Sequence, residues 1–150
     1  ISESNRKKLA DGLSALVADS YALLIKLHNY HWNVTGVHFR QIHLMTEEQY
    51  TELFGAIDVV AERIRSLGFK APGSMAEFKK LTEISEPDSS FSANEMLADL
   101  LKSNETISRK CRDLIETAEK AGDSGTADMV TARLEVHEKD AWMLRSSLEV

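Results

Sequence analysis

Apolar residues recur every three to four positions along four long stretches of the chain, and this spacing predicts amphipathic helices. The stretches cover residues 4–32, 39–67, 92–121 and 123 onward, and a shorter run over 74–81 adds a fifth helix. Both prolines fall in the connection between the second and third long stretches, where they interrupt no helix. The pattern therefore predicts an all-α protein with four long helices and a short extra helix between the second and third.

Cap and turn residues support these bounds. Ser74 with Glu77, and Ser92 with Glu95, have the spacing of capping boxes at the starts of the short helix and the third long helix. Gly36 predicts the turn that joins the first two helices.

Composition limits the class of protein. The 150 residues are 43% hydrophobic, which suits one packed domain spanning residues 1–150. No run approaches the roughly 20 apolar residues of a membrane span, and no secretory signal is visible. The single cysteine, Cys111, excludes an intrachain disulfide and fits a reducing compartment. The net charge of −6 argues against broad attraction to nucleic acid and suits cations.

The second long helix carries an unusual set of polar residues on one face. On a helical wheel, His43, Glu47, Asp58 and Glu62 fall within a sector of roughly 100°, an arc that an ordinary amphipathic helix fills with apolar side chains. Acids one turn apart repel each other. Histidine beside such carboxylates therefore indicates a divalent metal.

Helix geometry prevents one chain from holding one ion with all four residues. His43 and Asp58 are separated by about 22 Å along the helix, whereas metal–ligand bonds are about 2 Å. Two antiparallel copies related by a two-fold axis would bring each histidine end against a partner's acidic end and create two equivalent sites. His31 lies beyond the Gly36 turn, which can fold it back toward His43.

In these residues and their spacing, the sequence resembles the Dps family, the mini-ferritins also called DNA-binding proteins from starved cells. The family motif is a His-Trp pair, a second His, an acid four residues on, and an Asp-x-x-x-Glu pair. Glu47 stands where the family more often has Asp, and the resemblance covers essentially the whole chain. The matching residues are His31, Trp32, His43, Glu47, Asp58 and Glu62.

The resemblance implies a ferritin-like four-helix bundle that assembles as a hollow homododecamer in the bacterial cytoplasm, either free or associated with the nucleoid. It also implies ferroxidase chemistry: Fe(II) is oxidised by hydrogen peroxide, in preference to dioxygen, at two-iron sites between subunits, and the ferric mineral is stored. It also implies that Trp32 lies beside the iron. Five residues would be the iron ligands: His31, His43, Glu47, Asp58 and Glu62.

Two short segments have alternative interpretations. Asp123 and Asp128 could simply favour the start of the fourth helix, whereas the resemblance implies acid-lined three-fold pores through which ferrous iron enters. Arg6, Lys7 and Lys8 could be a solvated first turn or a short basic arm that touches DNA phosphates. The remaining histidines and the second tryptophan are expected outside the site: His28 and His38 at the surface or behind the ligands, His137 at the surface, and Trp142 in the packing of the fourth helix.

Three other classes of protein fit the sequence less well than a ferroxidase does. Classical ferritins use Glu-x-x-His motifs within one bundle, and this spacing does not occur in the sequence. A nucleoid protein that mainly compacts DNA is disfavoured by the negative charge and the short basic arm. A purely structural bundle would leave the spacing of the histidines and acids without a cause.

Overall fold

The part of the chain that the structure describes consists of five helices joined by turns and one long connection. The computed structural model describes residues 1–149, and these residues contain no strand. The four long helices begin within one residue of their predicted starts, and the three with a predicted end stop within one residue of it, so the all-α prediction is confirmed. The helices are α1 (Glu3–Asn33), α2 (Phe39–Ser66), α3 (Met75–Leu81), α4 (Ala93–Lys120) and α5 (Ser124–Ser147).

The four long helices pack as two hairpins. α1 packs against α2, α4 packs against α5, and contacts between α1 and α4 join the two pairs, while α3 rests on α1. The core between the helices is made of aliphatic side chains that are nearly inaccessible to water, including Leu13, Ile64, Leu100, Ile107 and Leu144. Fully burying each such side chain contributes about 1.5–3 kcal/mol. None of the described helices is both long enough and apolar enough to cross a membrane.

The predicted caps and the first turn are present. The side chains of Ser74 and Ser92 accept hydrogen bonds from the backbone N–H groups of Glu77 and Glu95, and the second pair forms a complete capping box. Gly36 adopts a φ of 115°, a backbone conformation that other residues rarely adopt. This turn reverses the chain so that the end of α1 lies against the start of α2.

A buried lysine fixes the long connection between α2 and α4. The ammonium group of Lys26 lies 3.1 Å from Asp99 and donates to the hydroxyls of Ser85 and Ser103. The Tyr30 hydroxyl donates to the same Asp99 carboxylate at 2.6 Å. Burial lowers the pKa of Lys26, although Asp99 opposes this effect. The cluster therefore ties α1 to α4 and to the connection.

Two predictions about α5 are wrong. His137 was expected at the surface but is only 1% exposed, because its Nδ1 bonds to Asn104 on α4 and its Nε2 accepts from Arg133 one turn earlier. Trp142 was expected in the packing but is 60% exposed, because Leu144 occupies the buried face of the helix nearby.

Candidate metal centre

The turn at Gly36 brings His31 of α1 against His43 of α2. The two imidazole rings stack with centroids 3.7 Å apart and an angle of 13° between their planes. His31 is 6% exposed, so the pair sits at the edge of the core with its outer side toward the surface. The predicted approach of these two histidines, which are 12 positions apart in sequence, is confirmed.

A reciprocal pair of hydrogen bonds orients both imidazole rings and determines that Nδ1 is protonated in each. His31 Nδ1 donates to the carbonyl oxygen of His43, and His43 Nδ1 donates to the carbonyl oxygen of His31, each at 2.7 Å. The His31 carbonyl is free to accept because it lies in the last turn of α1. A carbonyl can only accept, so each Nδ1 carries a proton, and in the neutral imidazole each Nε2 then keeps its lone pair. Such bonds orient histidines that bind metals through the other nitrogen.

Two residues behind the histidines were missed by sequence reasoning. The Thr46 hydroxyl lies 3.3 Å from His31 Nδ1 and donates to the Ile42 carbonyl at 2.8 Å. The Tyr50 ring meets the His31 ring edge-on, with centroids 5.2 Å apart. Both follow His43 at helical spacing, three and seven positions later, and this spacing was the signal available in the sequence.

The second half of the predicted ligand set lies farther along α2. Asp58 and Glu62 are exposed and one turn apart, and Glu47 is exposed nearer the histidines. A side-chain hydrogen bond to Asp58, together with the charge of Asp58, raises the pKa of Glu62. The two negative charges therefore repel each other. A cation bound between them would relieve this repulsion, so the pair fits a metal ion.

Within one chain these halves do not form a complete site. No three side chains of the His, Cys, Asp or Glu type converge on a common point within residues 1–149. The histidine pair supplies only two nitrogen donors, and the acidic pair lies about 22 Å away along α2. The predicted ligands of a single chain therefore lie in two separate groups, as helix geometry leads us to expect, and their role as ligands stays a prediction.

Trp32 extends from the protein surface next to His31. Its ring is 68% exposed and stacks on His28, with centroids 5.2 Å apart and planes 4° apart. His28 in turn lies 4.3 Å from the Tyr50 ring. His28 therefore packs between Trp32 and Tyr50, and its place at the surface or behind the ligands stays a prediction.

Asp123 has a structural role in the chain. Its carboxylate accepts from the backbone N–H of Thr126 at 3.0 Å, which caps α5, and from Arg63 of α2 at 2.7 Å. Burial alone would raise the pKa of Asp123, but the bonds from Thr126 and Arg63 outweigh burial and lower it. Asp128 is exposed. The helix-start interpretation of Asp123 therefore has direct support, while the pore assignment of both acids stays a prediction.

The basic residues at the start of α1 are largely engaged within the chain. Arg6 donates to the carbonyl oxygen of Leu67 at 2.7 Å, and Lys7 pairs with Asp11 at 2.6 Å. Lys8 is exposed. Arg6 thus fastens α1 to the end of α2, and only part of the predicted basic arm is free to meet a phosphate.

Comparison with known proteins defines the class and then the family. The family model of the Ferritin-like domain matches residues 10–150, so the chain is a ferritin-like protein. The DNA protection during starvation protein of Helicobacter pylori is 35% identical over 91% of this chain and 95% of its own length.

Solved structures narrow the class further. A Dps protein from Bacillus brevis superimposes with a TM-score of 0.95 at 35% identity, covering 99% of this chain and all of that one. The Dps protein of Vibrio cholerae, described as a member of a superfamily of ferritin-like diiron-carboxylate proteins, gives 0.95 at 30% identity, covering 99% and 94%. The chain belongs to the Dps family.

Proposed function

We propose that this protein oxidises Fe(II) with hydrogen peroxide, in preference to dioxygen, at two-iron sites shared between subunits. His31 and His43 of one subunit bind iron through Nε2, and Asp58 and Glu62 of its partner bind through carboxylate oxygens. Glu47 assists from the histidine side. The observation that carries the proposal is the reciprocal bonding of the two histidines, which leaves both Nε2 atoms free.

The ligand types suit ferrous iron as the substrate. Imidazole binds iron, and carboxylate oxygens bind hard cations, so a mixed set holds Fe(II). Glu62 lies at the outer end of the acidic pair, where it can bridge toward a second iron. Two Fe(II) ions each give one electron to peroxide, the O–O bond breaks, and both oxygens reach the oxidation level of water. Because both electrons arrive together, no hydroxyl radical is released.

Membership of the Dps family supports a proposal for the assembly and the biological role. We propose a hollow homododecamer in the bacterial cytoplasm, associated with the nucleoid, with iron entering through pores that include Asp123 and Asp128 and ferric mineral held inside. Removing Fe(II) and peroxide together would protect DNA from oxidation. The name of the Helicobacter pylori relative and the diiron description of the Vibrio cholerae protein support this role.

Mixed subunits provide the decisive experiment. The variants His31→Ala and Asp58→Ala each break one half-site and should be nearly inactive when assembled alone. In a dimer of one variant with the other, one site combines both intact halves and the other site combines both broken halves. Random mixing should therefore restore about one quarter of the wild-type sites, measured as the initial rate of ferric absorbance after peroxide is added to anaerobic Fe(II).

A matched control keeps this experiment specific. His38 is an exposed histidine that pairs with Glu149 away from the half-sites, so His38→Ala should oxidise iron at the wild-type rate. The wild type should consume one peroxide for every two irons and react slowly in air. If either single variant oxidised iron at the wild-type rate, the catalytic assignment would be refuted. If the mixture of the two variants stayed inactive, the proposal that the site is shared between subunits would be refuted.

DNA compaction is the second candidate function, because the Helicobacter pylori relative is named for DNA protection. The net charge of −6 and the internal bonds of Arg6 and Lys7 oppose it. We expect no gel-shift of linear DNA at physiological salt, with or without magnesium. Retarded DNA under those conditions would make direct binding part of the function.

A further inference from the structure

A buried polar cluster lies between α2, α4 and α5. Arg133 of α5 is 7% exposed, and its guanidinium forms two bonds with the Glu52 carboxylate of α2, at 2.5 and 3.1 Å. The same guanidinium donates to Nε2 of His137 at 3.2 Å. None of these three side chains belongs to the predicted iron ligands.

His137 has the chemical form of a histidine that binds a metal. Its Nδ1 donates to the side-chain oxygen of Asn104 at 2.9 Å, and the amide nitrogen of Asn104 donates to the Leu100 carbonyl, which fixes the orientation of that amide. A guanidinium can only donate, so Nε2 of His137 keeps its lone pair and directs it at the positive charge. Metal-binding histidines are held in the same way, by a bond from the other ring nitrogen to an oxygen.

Further oxygen donors and open space adjoin the guanidinium. A cavity of about 210 Å³ between α2 and α5 is lined in part by Glu52, Asp140 and Gln49. Gln49 is 6% exposed, and neither atom of its amide group has a hydrogen-bond partner among residues 1–149. Burial and the charge of Glu52 raise the pKa of Asp140 to about 6, although Arg133 and Lys139 oppose this rise. A second positive charge at this place would therefore stabilise the ionised carboxylates.

We propose that Arg133 is a built-in cation that fills a divalent-metal site made by Glu52, His137 and Asp140, and so closes the interior of the bundle to iron. Helical bundles build metal sites from side chains on facing helices, and imidazole with carboxylates suits Fe(II), Zn(II) and Co(II). A guanidinium keeps its charge at any pH the protein meets. An ion from solution would thus have to displace a charge that the chain itself holds in place.

The distances fit a site that is occupied by a larger group than a metal ion. One guanidinium nitrogen lies 3.1 Å from Glu52 and 3.2 Å from His137, whereas metal–ligand bonds are about 2.0–2.2 Å. The donors would have to move inward by only about 1 Å if the guanidinium were removed. With Arg133 in place they stay apart, in line with the lack of a convergent group of three such donors in residues 1–149.

Removal of the guanidinium should convert the cluster into a metal site. We would add Arg133→Ala to a His31→Ala protein, so that binding at the predicted iron ligands is weakened in every sample. The Arg133→Ala protein should bind one additional Co(II) ion per subunit, counted by equilibrium dialysis and seen in the visible absorption of bound Co(II). Adding Glu52→Gln or His137→Gln should weaken this binding about tenfold or more, because each change removes a donor.

Two variants serve as matched controls in the same His31→Ala protein. Arg133→Lys keeps a positive charge at the site and should bind no additional Co(II). Arg145→Ala removes an exposed arginine from the same helix, one that pairs with Glu105 at 3.6 Å, and should also leave Co(II) binding unchanged. Circular dichroism checks that each variant keeps its helices.

Thermal unfolding makes every outcome decisive. Without metal, Arg133→Ala should be less stable than its parent, and Co(II) should raise its midpoint but not that of the parent, because the ion binds only the folded variant. An Arg133→Ala protein that gains no Co(II), or binds it equally well after His137→Gln, would overturn the proposal. A chain that stays unfolded even with Co(II) would count against it too. None of these readouts uses iron oxidation, so they stand whether or not the proposed function holds.

Discussion

Acid should destabilise this protein through His137. The side chain is buried between α4 and α5, and burial together with the nearby Arg133 guanidinium lowers its pKa to about 3. In the unfolded chain the pKa is about 6.5. Below that value the unfolded chain takes up a proton that the folded chain excludes. The contribution to stability is therefore complete above pH 6.5 and is lost as the pH falls toward 3.

The size of the effect follows from this difference in pKa. One pKa unit corresponds to about 1.4 kcal/mol. At pH 5 the unfolded imidazole is almost fully protonated and the folded one is still neutral, so the loss relative to pH 7.5 is about 2 kcal/mol. At this pH the result depends on the unfolded pKa almost alone, because His137 in the folded protein does not begin to titrate.

Urea unfolding at the two pH values, at one protein concentration and without metal, measures the effect. The comparison is with His137→Gln, since glutamine stays neutral and keeps a donor for Asn104 and an acceptor for Arg133. The wild type should lose about 2 kcal/mol more than the variant. Asp140, whose pKa is raised to about 6 by burial and by Glu52, remains in both proteins and cancels. Equal losses in the two proteins would refute the reasoning.

Two further pairs of variants test the ion pairs and the predicted pore. Asp99→Asn should lower the free energy of unfolding by about 3–5 kcal/mol, because the buried ammonium of Lys26 loses its carboxylate partner. The exposed Asp113→Asn should stay within about 0.5 kcal/mol, and equal urea midpoints for the two would contradict this. Asp128→Asn should slow the initial rate of iron oxidation at low Fe(II) with stability unchanged, whereas Asp123→Asn should cost about 1–3 kcal/mol by weakening the link between α2 and α5. If Asp123→Asn slowed iron oxidation without lowering stability, the main role of Asp123 would be in the pore.

The helices were predictable because their signals are local. Apolar spacing and capping boxes depend on residues within one or two turns of each other, and the predicted bounds lie close to the observed ones. His137 was mispredicted because its partner Asn104 is on another helix. A local signal did exist: His137 follows Val130 and Arg133 at helical spacing on the face of α5 that packs inward. Because Arg133 and His137 on that face are polar, the face does not read as a row of apolar residues in the sequence.

The candidate site was predictable in its residue types and only partly in its geometry. The separation of His43 from Asp58 follows from helix dimensions alone, so the division into two halves could be worked out from the sequence. The reciprocal bonds of the histidines could not, because they depend on how the Gly36 turn sets α1 against α2. The support from Thr46 also depends on that packing.

The two halves differ in a way that links metal binding to assembly. The nitrogen half is preformed by its own chain, since the bonds between His31 and His43 need no partner subunit. In the acidic half, a hydrogen bond to Asp58 and the charge of Asp58 raise the pKa of Glu62, so the two carboxylates repel each other when both are charged. An ion that meets both halves only in paired subunits stabilises the paired state, by about 2.7 kcal/mol when its free concentration is a hundred times its dissociation constant. By the same linkage, pairing raises the affinity for the ion. Under the proposed function, iron would then be oxidised where a cage wall has formed and not on a free subunit.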